Sequence, residues 1–69
     1  KAGRIIKEYS MGWQIVFVDA GNKLRNGGIS MFRKGEDVEA DAWNRAAAHD
    51  ALVTRAEDKI INVVCVKNR

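Results

Sequence analysis

The segment from Asp37 to Asp58, DVEADAWNRAAAHDALVTRAED, constrains the fold most, because it is the only stretch long and regular enough to predict a helix by itself. Alanine, the strongest helix former, recurs through it, and neither glycine nor proline interrupts it. Asp37 is a suitable N-cap residue, and Asp41 and Arg45 have the i, i+4 spacing of a favourable ion pair. The sequence therefore predicts a helix over residues 37–58.

The apolar face of this helix is built mainly from small residues. Steps of three and four residues place one stripe on a single side: Val38, Ala42, Ala46, His49, Val53 and Ala56, with Leu52 at its border. Because most side chains of this stripe are small, a sheet can approach the helix closely, and the larger core side chains must come from strands.

Charge divides along the chain more sharply than the net charge of +3 indicates. Residues 1–34 hold seven basic and two acidic residues, and residues 35–58 hold two basic and seven acidic ones. Three more basic residues follow in 59–69. The strands are therefore basic and the helix is acidic, a layout that an ordinary solvated surface also produces.

Cysteine content and length exclude several classes of protein. Cys65 is the only cysteine, so no disulfide forms within the chain, and with His49 as the only histidine there are too few ligands for a structural zinc site. We expect no cofactor, and no apolar run approaches the roughly 20 residues that span a bilayer. A single cysteine favours the cytoplasm, and 69 residues predict one domain, 1–69.

Four segments have the composition of β-strands: Arg4–Tyr9, Trp13–Val18, Ile29–Arg33 and Lys59–Lys67. Two turns compete between the second and third. A tight turn at Gly21-Asn22 with a glycine bulge near Gly27 gives a long hairpin, whereas a wide loop from Asp19 to Gly28 gives a short one. We favour the tight turn.

The element order β-β-β-α-β predicts an α+β fold, a small antiparallel sheet with one long helix packed on one face. In the last strand Ile61, Val63 and Cys65 are expected on one face, and Ile60, Val64 and Val66 on the other. In the second strand Val16 and Val18 lie opposite Trp13, Ile15 and Phe17. Both faces are thus apolar, and one helix covers only one of them.

The second apolar face predicts a partner. We expect Val16, Val18, Val64 and Val66 to form an oligomer interface, most simply with a second copy of the chain and otherwise with a different protein. The first strand or the chain ends folding over these valines is the alternative that needs no partner.

The sequence contains no recognisable catalytic motif. His49 and Asp50 are neighbours on a helix and diverge by about 100°, which does not make a dyad. Cys65 lies in an apolar strand, where a thiol acts as a small hydrophobe. Gly27-Gly28 precedes a strand, so it is not a phosphate-binding loop. We expect a protein that is not an enzyme.

Two other surfaces are candidate binding sites. Lys23, Arg25, Arg33 and Lys34, with Phe32, Tyr9 and Trp13 as stacking groups, are an alternative site for single-stranded DNA or RNA. Trp43 lies off the apolar stripe of the helix and predicts a partner-binding site rimmed by Glu39, Asp50 and Asp58. Covering the edge of the core is the competing interpretation of Trp43.

The expected layout, a lone helix on a small sheet without catalytic groups, is similar to that of small phage-encoded inhibitors such as anti-CRISPR proteins and phage antitoxins. The similarity is one of architecture and carries over no residues. It implies a non-enzymatic protein that docks on another macromolecule, a protein first and nucleic acid second.

Overall fold

The computed structural model of the chain describes residues 12–32 and 35–67. It contains β1 (Trp13–Asp19), β2 (Leu24–Ser30), α1 (Gly35–Leu52), a 3-10 turn (Ala56–Asp58) and β3 (Ile60–Lys67). The strands form one antiparallel sheet in the order β2-β1-β3, which confirms the predicted α+β class. The expected strand Arg4–Tyr9 lies outside the described residues.

The β1–β2 hairpin turns tightly at residues 20–22. The Asn22 amide donates to the Asp19 carbonyl at 2.9 Å and the Asp19 amide donates to the Lys23 carbonyl at 3.0 Å. Asn22 takes the left-handed conformation at φ 64°, which asparagine tolerates better than most residues. The tight-turn prediction is therefore confirmed, and the wide loop is excluded.

The predicted third strand, Ile29–Arg33, was placed too late in the chain. Once the chain turns at Asn22, β2 begins at Leu24 and ends at Ser30. Its pairing with β1 shifts between Ile15 and Val16, so that Gly27 is an extra, bulged residue. The bulge predicted near Gly27 is confirmed. It places Ile29 opposite Gln14 and Ser30 opposite Trp13.

The helix ends at Leu52, six residues before the predicted end at Asp58. Lys59 explains the early end, because its Nζ donates to the carbonyls of Asp50 at 2.7 Å and Val53 at 2.8 Å. A cation at this position satisfies carbonyls that a longer helix would have used. The helix also begins earlier than expected, at Gly35, so Asp37 lies in its first turn and is not the N-cap.

The core lies between α1 and the inner face of the sheet, the face towards the helix. Ile15, Phe17, Ala42, Ala46 and Ile60 form one buried cluster, and Val63 and Cys65 pack against it. The predicted stripe is thus confirmed for Val38, Ala42 and Ala46, which are buried. It is wrong for Ala56, which lies beyond the end of the helix and is exposed, and His49 and Val53 are half-buried. The small side chains of Ala42 and Ala46 let the helix approach the strands closely.

Arg45 ties the helix to the bulged strand. Its guanidinium donates to the carbonyls of Gly27 at 3.0 Å and Ile29 at 2.9 Å. Its Nε also lies 2.9 Å from Asp41 Oδ2, which confirms the predicted i, i+4 pair. The carbonyls exposed by the bulge are therefore satisfied from the helix.

A second bulge corrects the predicted faces of β3. The register with β1 shifts between Val18 and Asp19, so that Asn62 pairs with Val18, Ile60 pairs with Asp19, and Ile61 is the extra residue. Ile60 consequently points into the core while Ile61 is exposed, the reverse of the prediction. Asp50 fixes this arrangement, because its carboxylate accepts the Ile60 amide at 2.9 Å.

Candidate docking surface

The outer face of the sheet, the face away from α1, is a grid of nine positions in three cross-strand rows. The registers give the rows as Ile29–Gln14–Val66, Asn26–Val16–Val64 and Leu24–Val18–Asn62. Six of the nine are aliphatic and the other three are amides. A chain in which 30% of residues are charged therefore has one sheet face, among the described residues, without a formal charge.

Solvent reaches most of the aliphatic side chains on the outer face. Leu24 is 73% exposed, Val66 52%, Ile29 44% and Val64 41%, while Val16 and Val18 are half-buried. The exposed parts of these four residues add up to roughly 400 Å² of apolar surface. The largest apolar patch on a typical monomeric protein is of this size, and such patches are often functional.

Each amide side chain of the outer face has a hydrogen-bond partner within the chain for one of its two polar groups. Gln14 Nε2 donates to Asn26 Oδ1 at 2.9 Å and to the Gly28 carbonyl at 3.2 Å. Asn26 Oδ1 also accepts the Gly28 amide, and Asn62 Oδ1 accepts the Val63 amide, each at 2.9 Å. The described residues provide no partner for Gln14 Oε1, Asn26 Nδ2 or Asn62 Nδ2, so a surface that covers this face has to supply hydrogen bonds to them or the contact loses free energy.

A shallow groove of about 320 Å³ lies on the outer face along β1 and β2. Gln14, Val16 and Asn26 line it together with Leu24 and Arg25. The highly exposed Leu24 side chain therefore stands beside a depression on the same surface. A projecting side chain and a receiving groove on one face are the two components of a self-complementary contact.

The four valines predicted as an interface, Val16, Val18, Val64 and Val66, do lie together on the outer face. Sequence reasoning missed Leu24 and Ile29, which extend the face onto β2. The preferred turn at Gly21-Asn22 already contained the signal for Leu24, since it places Leu24 across from Val18. Ile29 needed the Gly27 bulge to be placed precisely.

The predicted acidic rim of Trp43 is only partly assembled. Asp50 is half-buried and accepts the Ile60 amide, and Asp58 lies beyond the helix, where it pairs with Arg25 at 3.0 Å and Arg55 at 3.2 Å. Both carboxylates thus have structural partners. The prediction depended on a helix reaching Asp58, and the helix ends before that residue.

Trp43 and Glu39 remain neighbours one turn apart on the exposed flank of α1. Trp43 is 43% exposed, and Glu39 is exposed beside it. Their flank is the one that carries Asp50, so it lies on the β3 side of the helix. This pair is smaller than the predicted site and separate from the outer face of the sheet.

Of the four predicted phosphate-binding cations, the structure describes Lys23 and Arg25. Arg25 donates to the fully buried Asp19 at 2.7 Å and to Asp58 at 3.0 Å, and these partners raise the pKa of the guanidinium, Asp19 foremost. The group is therefore held in internal ion pairs. Lys23 is exposed, and Arg33 and Lys34 lie outside the described residues.

His49 and Asp50 were expected to diverge, but His49 Nδ1 lies 3.2 Å from Asp50 Oδ1. That carboxylate oxygen already accepts the Ile60 amide, and this hydrogen bond is the main reason that the pKa of Asp50 is lowered. The His49 ring packs on Phe17 with centroids 6.0 Å apart. The pair is thus part of the junction between helix and strand.

Cys65 has the properties of a core thiol. Burial, with the nearby carboxylates of Glu39 and Asp41, raises its pKa, which disfavours the reactive thiolate. Within residues 12–32 and 35–67, no group of three or more histidine, cysteine or acidic side chains is arranged to hold a metal ion. Within the described residues, no helix combines the length and the apolar character that crossing a membrane requires.

Comparison with models of known protein families gives no match, and neither does comparison with curated proteins or with solved structures.

Proposed function

We propose that this chain is a small non-enzymatic binding protein that docks on another protein through the outer face of its sheet. The observation that carries the proposal is the exposed, uncharged aliphatic surface formed by Leu24, Ile29, Val64 and Val66 around Val16. Fully burying an aliphatic side chain contributes about 1.5–3 kcal/mol. Four partly exposed ones therefore provide a substantial driving force for association.

The chemistry of the face favours a protein partner over nucleic acid. A phosphate backbone is recognised by lysine and arginine, and the nine outer positions include neither. Among the described residues, the alternative, a module for single-stranded DNA or RNA, would rest on Lys23 and on Phe32, which is 49% exposed, since Arg25 is engaged by two carboxylates. Protein docking therefore has more support.

The layout also supports a proposal for the class of protein. A short chain with one helix on a small sheet, similar to phage or mobile-element inhibitors of the anti-CRISPR or antitoxin kind, can act by occupying a surface and needs no catalytic group. We place its action in the cytoplasm. Trp43 with Glu39 is a second, smaller contact surface on the helix.

Site-specific photo-crosslinking in cells tests the proposal. The photoreactive residue p-benzoylphenylalanine replaces Leu24 in one version and Leu52, which is 87% exposed on the side of α1 opposite Trp43, in the other. We expect covalent protein adducts from position 24 and few from position 52, with mass spectrometry identifying the captured protein. Failure to capture any protein from position 24, or equal capture from both positions, would refute docking through the outer face.

A further inference from the structure

We infer that the occupant of the outer face is a second copy of this chain, packed sheet against sheet about a twofold axis that crosses the strands at Val16. This inference rests on the proposed function and specifies its partner. In this arrangement Leu24 of each copy meets Ile29 of the other copy, beside the groove along β1 and β2. Arg25 also lines this groove, but its guanidinium is paired with Asp19 and Asp58 within the chain.

The nine positions of the outer face carry no formal charge, which favours an identical face as the partner. Contacts with a different protein usually gain specificity and speed from opposite charges on the two partners. At a twofold axis, by contrast, a charge close to the axis meets its own copy and repels it. Nine positions without a formal charge, in a chain carrying +3 overall, suit association with an identical face.

The order of the three rows also favours a twofold axis through the middle row. A twofold axis through the middle row, Asn26–Val16–Val64, superimposes the first row of one copy on the third row of the other. Leu24 then covers Ile29, Val18 covers Gln14, and Val66 covers Asn62. Both exposed aliphatic side chains of β2 are buried by one operation, and the Leu24 side chain lies next to a groove that can receive it.

The small size of the face favours a weak dimer. Its aliphatic and amide groups expose roughly 600 Å² in each copy, less than the about 800 Å² per partner of a standard interface. We therefore expect a dissociation constant in the micromolar range. Aligned sheets cross at about 30° in such packing, which keeps Val16 of the two copies in contact at the axis.

Sedimentation equilibrium over about 1–200 µM tests the inference. The unmodified chain should dimerise, and Leu24→Lys should raise the dissociation constant at least about a hundredfold, because a symmetric interface loses Leu24 twice. Leu52→Lys is the matched control, since Leu52 is 87% exposed at the end of α1, off the outer face. It should leave the dissociation constant unchanged.

Circular dichroism confirms that each variant is folded, and Val66→Lys repeats the test from β3 if Leu24→Lys does not fold. In the purified dimer, photo-crosslinks from position 24 should map to the segment around Ile29. A monomer at 200 µM, or a dimer weakened equally by Leu52→Lys, overturns the second copy as partner. If position 24 then still captures a different protein in cells, the proposed function stands; if it captures none, both fail.

Discussion

Gly27→Ala should destabilise the fold, because the bulge places Gly27 against the most buried part of the core. A Cβ atom added there would lie 2.6 Å from Ile15 Cγ2 and 3.0 Å from both the Ile15 carbonyl oxygen and Phe17 Cε1. Ile15 is fully buried and Phe17 nearly so, so neither side chain has free space into which to move. A single methyl group therefore has to displace either the core or the strand.

The expected cost follows from measured overpacking. Forcing an extra methyl group into a close-packed core costs about 1–3 kcal/mol. For a domain of this size, 1 kcal/mol corresponds to a change of about 4–8 °C in the midpoint of thermal unfolding. We therefore expect Gly27→Ala to lower the midpoint by roughly 10 °C.

Gly21→Ala is the matched control, since it adds the same methyl group in the same hairpin. Its nearest atoms would be Asp19 Oδ1 at 3.4 Å and the Glu57 carbonyl oxygen at 3.6 Å, which are ordinary contacts. The Gly21 amide, which donates to both of these oxygens, is retained. Thermal and urea unfolding followed by circular dichroism should give a control within about 0.5 kcal/mol of the unmodified chain. Equal stability of the two variants would refute the argument from the bulge.

Two further predictions concern the turn and the helix. The pKa of the buried Asp19 is lowered from its ordinary value of 3.8, mainly by the hydrogen bond from the Lys23 amide and also by the Arg25 guanidinium. Ionised Asp19 therefore stabilises the fold at pH values above 3.8. This contribution is lost as the pH falls from 3.8 through the lowered pKa. Urea titrations across this acidic range should show a flatter pH dependence for Asp19→Asn; an unchanged slope would contradict it. Trp43→Ala should shift the thermal midpoint by only a few degrees while removing binding of a protein captured through the helix. A large loss of stability would instead assign Trp43 to the core.

The sequence predicts those parts of the fold that depend on neighbours along the chain. The alanine-rich helix, the turn at Gly21-Asn22 and the alternation of β1 are all local, and all three are observed. The end of the helix was missed because it depends on Lys59, whose side chain reaches back to two carbonyls.

The candidate site was predictable to a similar extent. The alternation of side chains along each strand was enough to place Val16, Val18, Val64 and Val66 on one face. Which face Ile29 and Ile60 occupy depends on the two bulges, and these can be located only from the strand pairing. The roles of Arg25 and Asp50 were also hidden, because each is fixed by a partner distant in sequence.

The two bulges have a consequence for changes in chain length. Gly27 and Ile61 are the residues that the β1 ladder skips on either side, so removing either one leaves every remaining cross-strand partner as it is. Removing any other residue from the middle of β2 or β3 would slip the register and exchange inward and outward side chains beyond the gap. Relatives shortened by a single residue within these strands are therefore expected to have their gaps at 27 or 61, and to keep the same two surfaces.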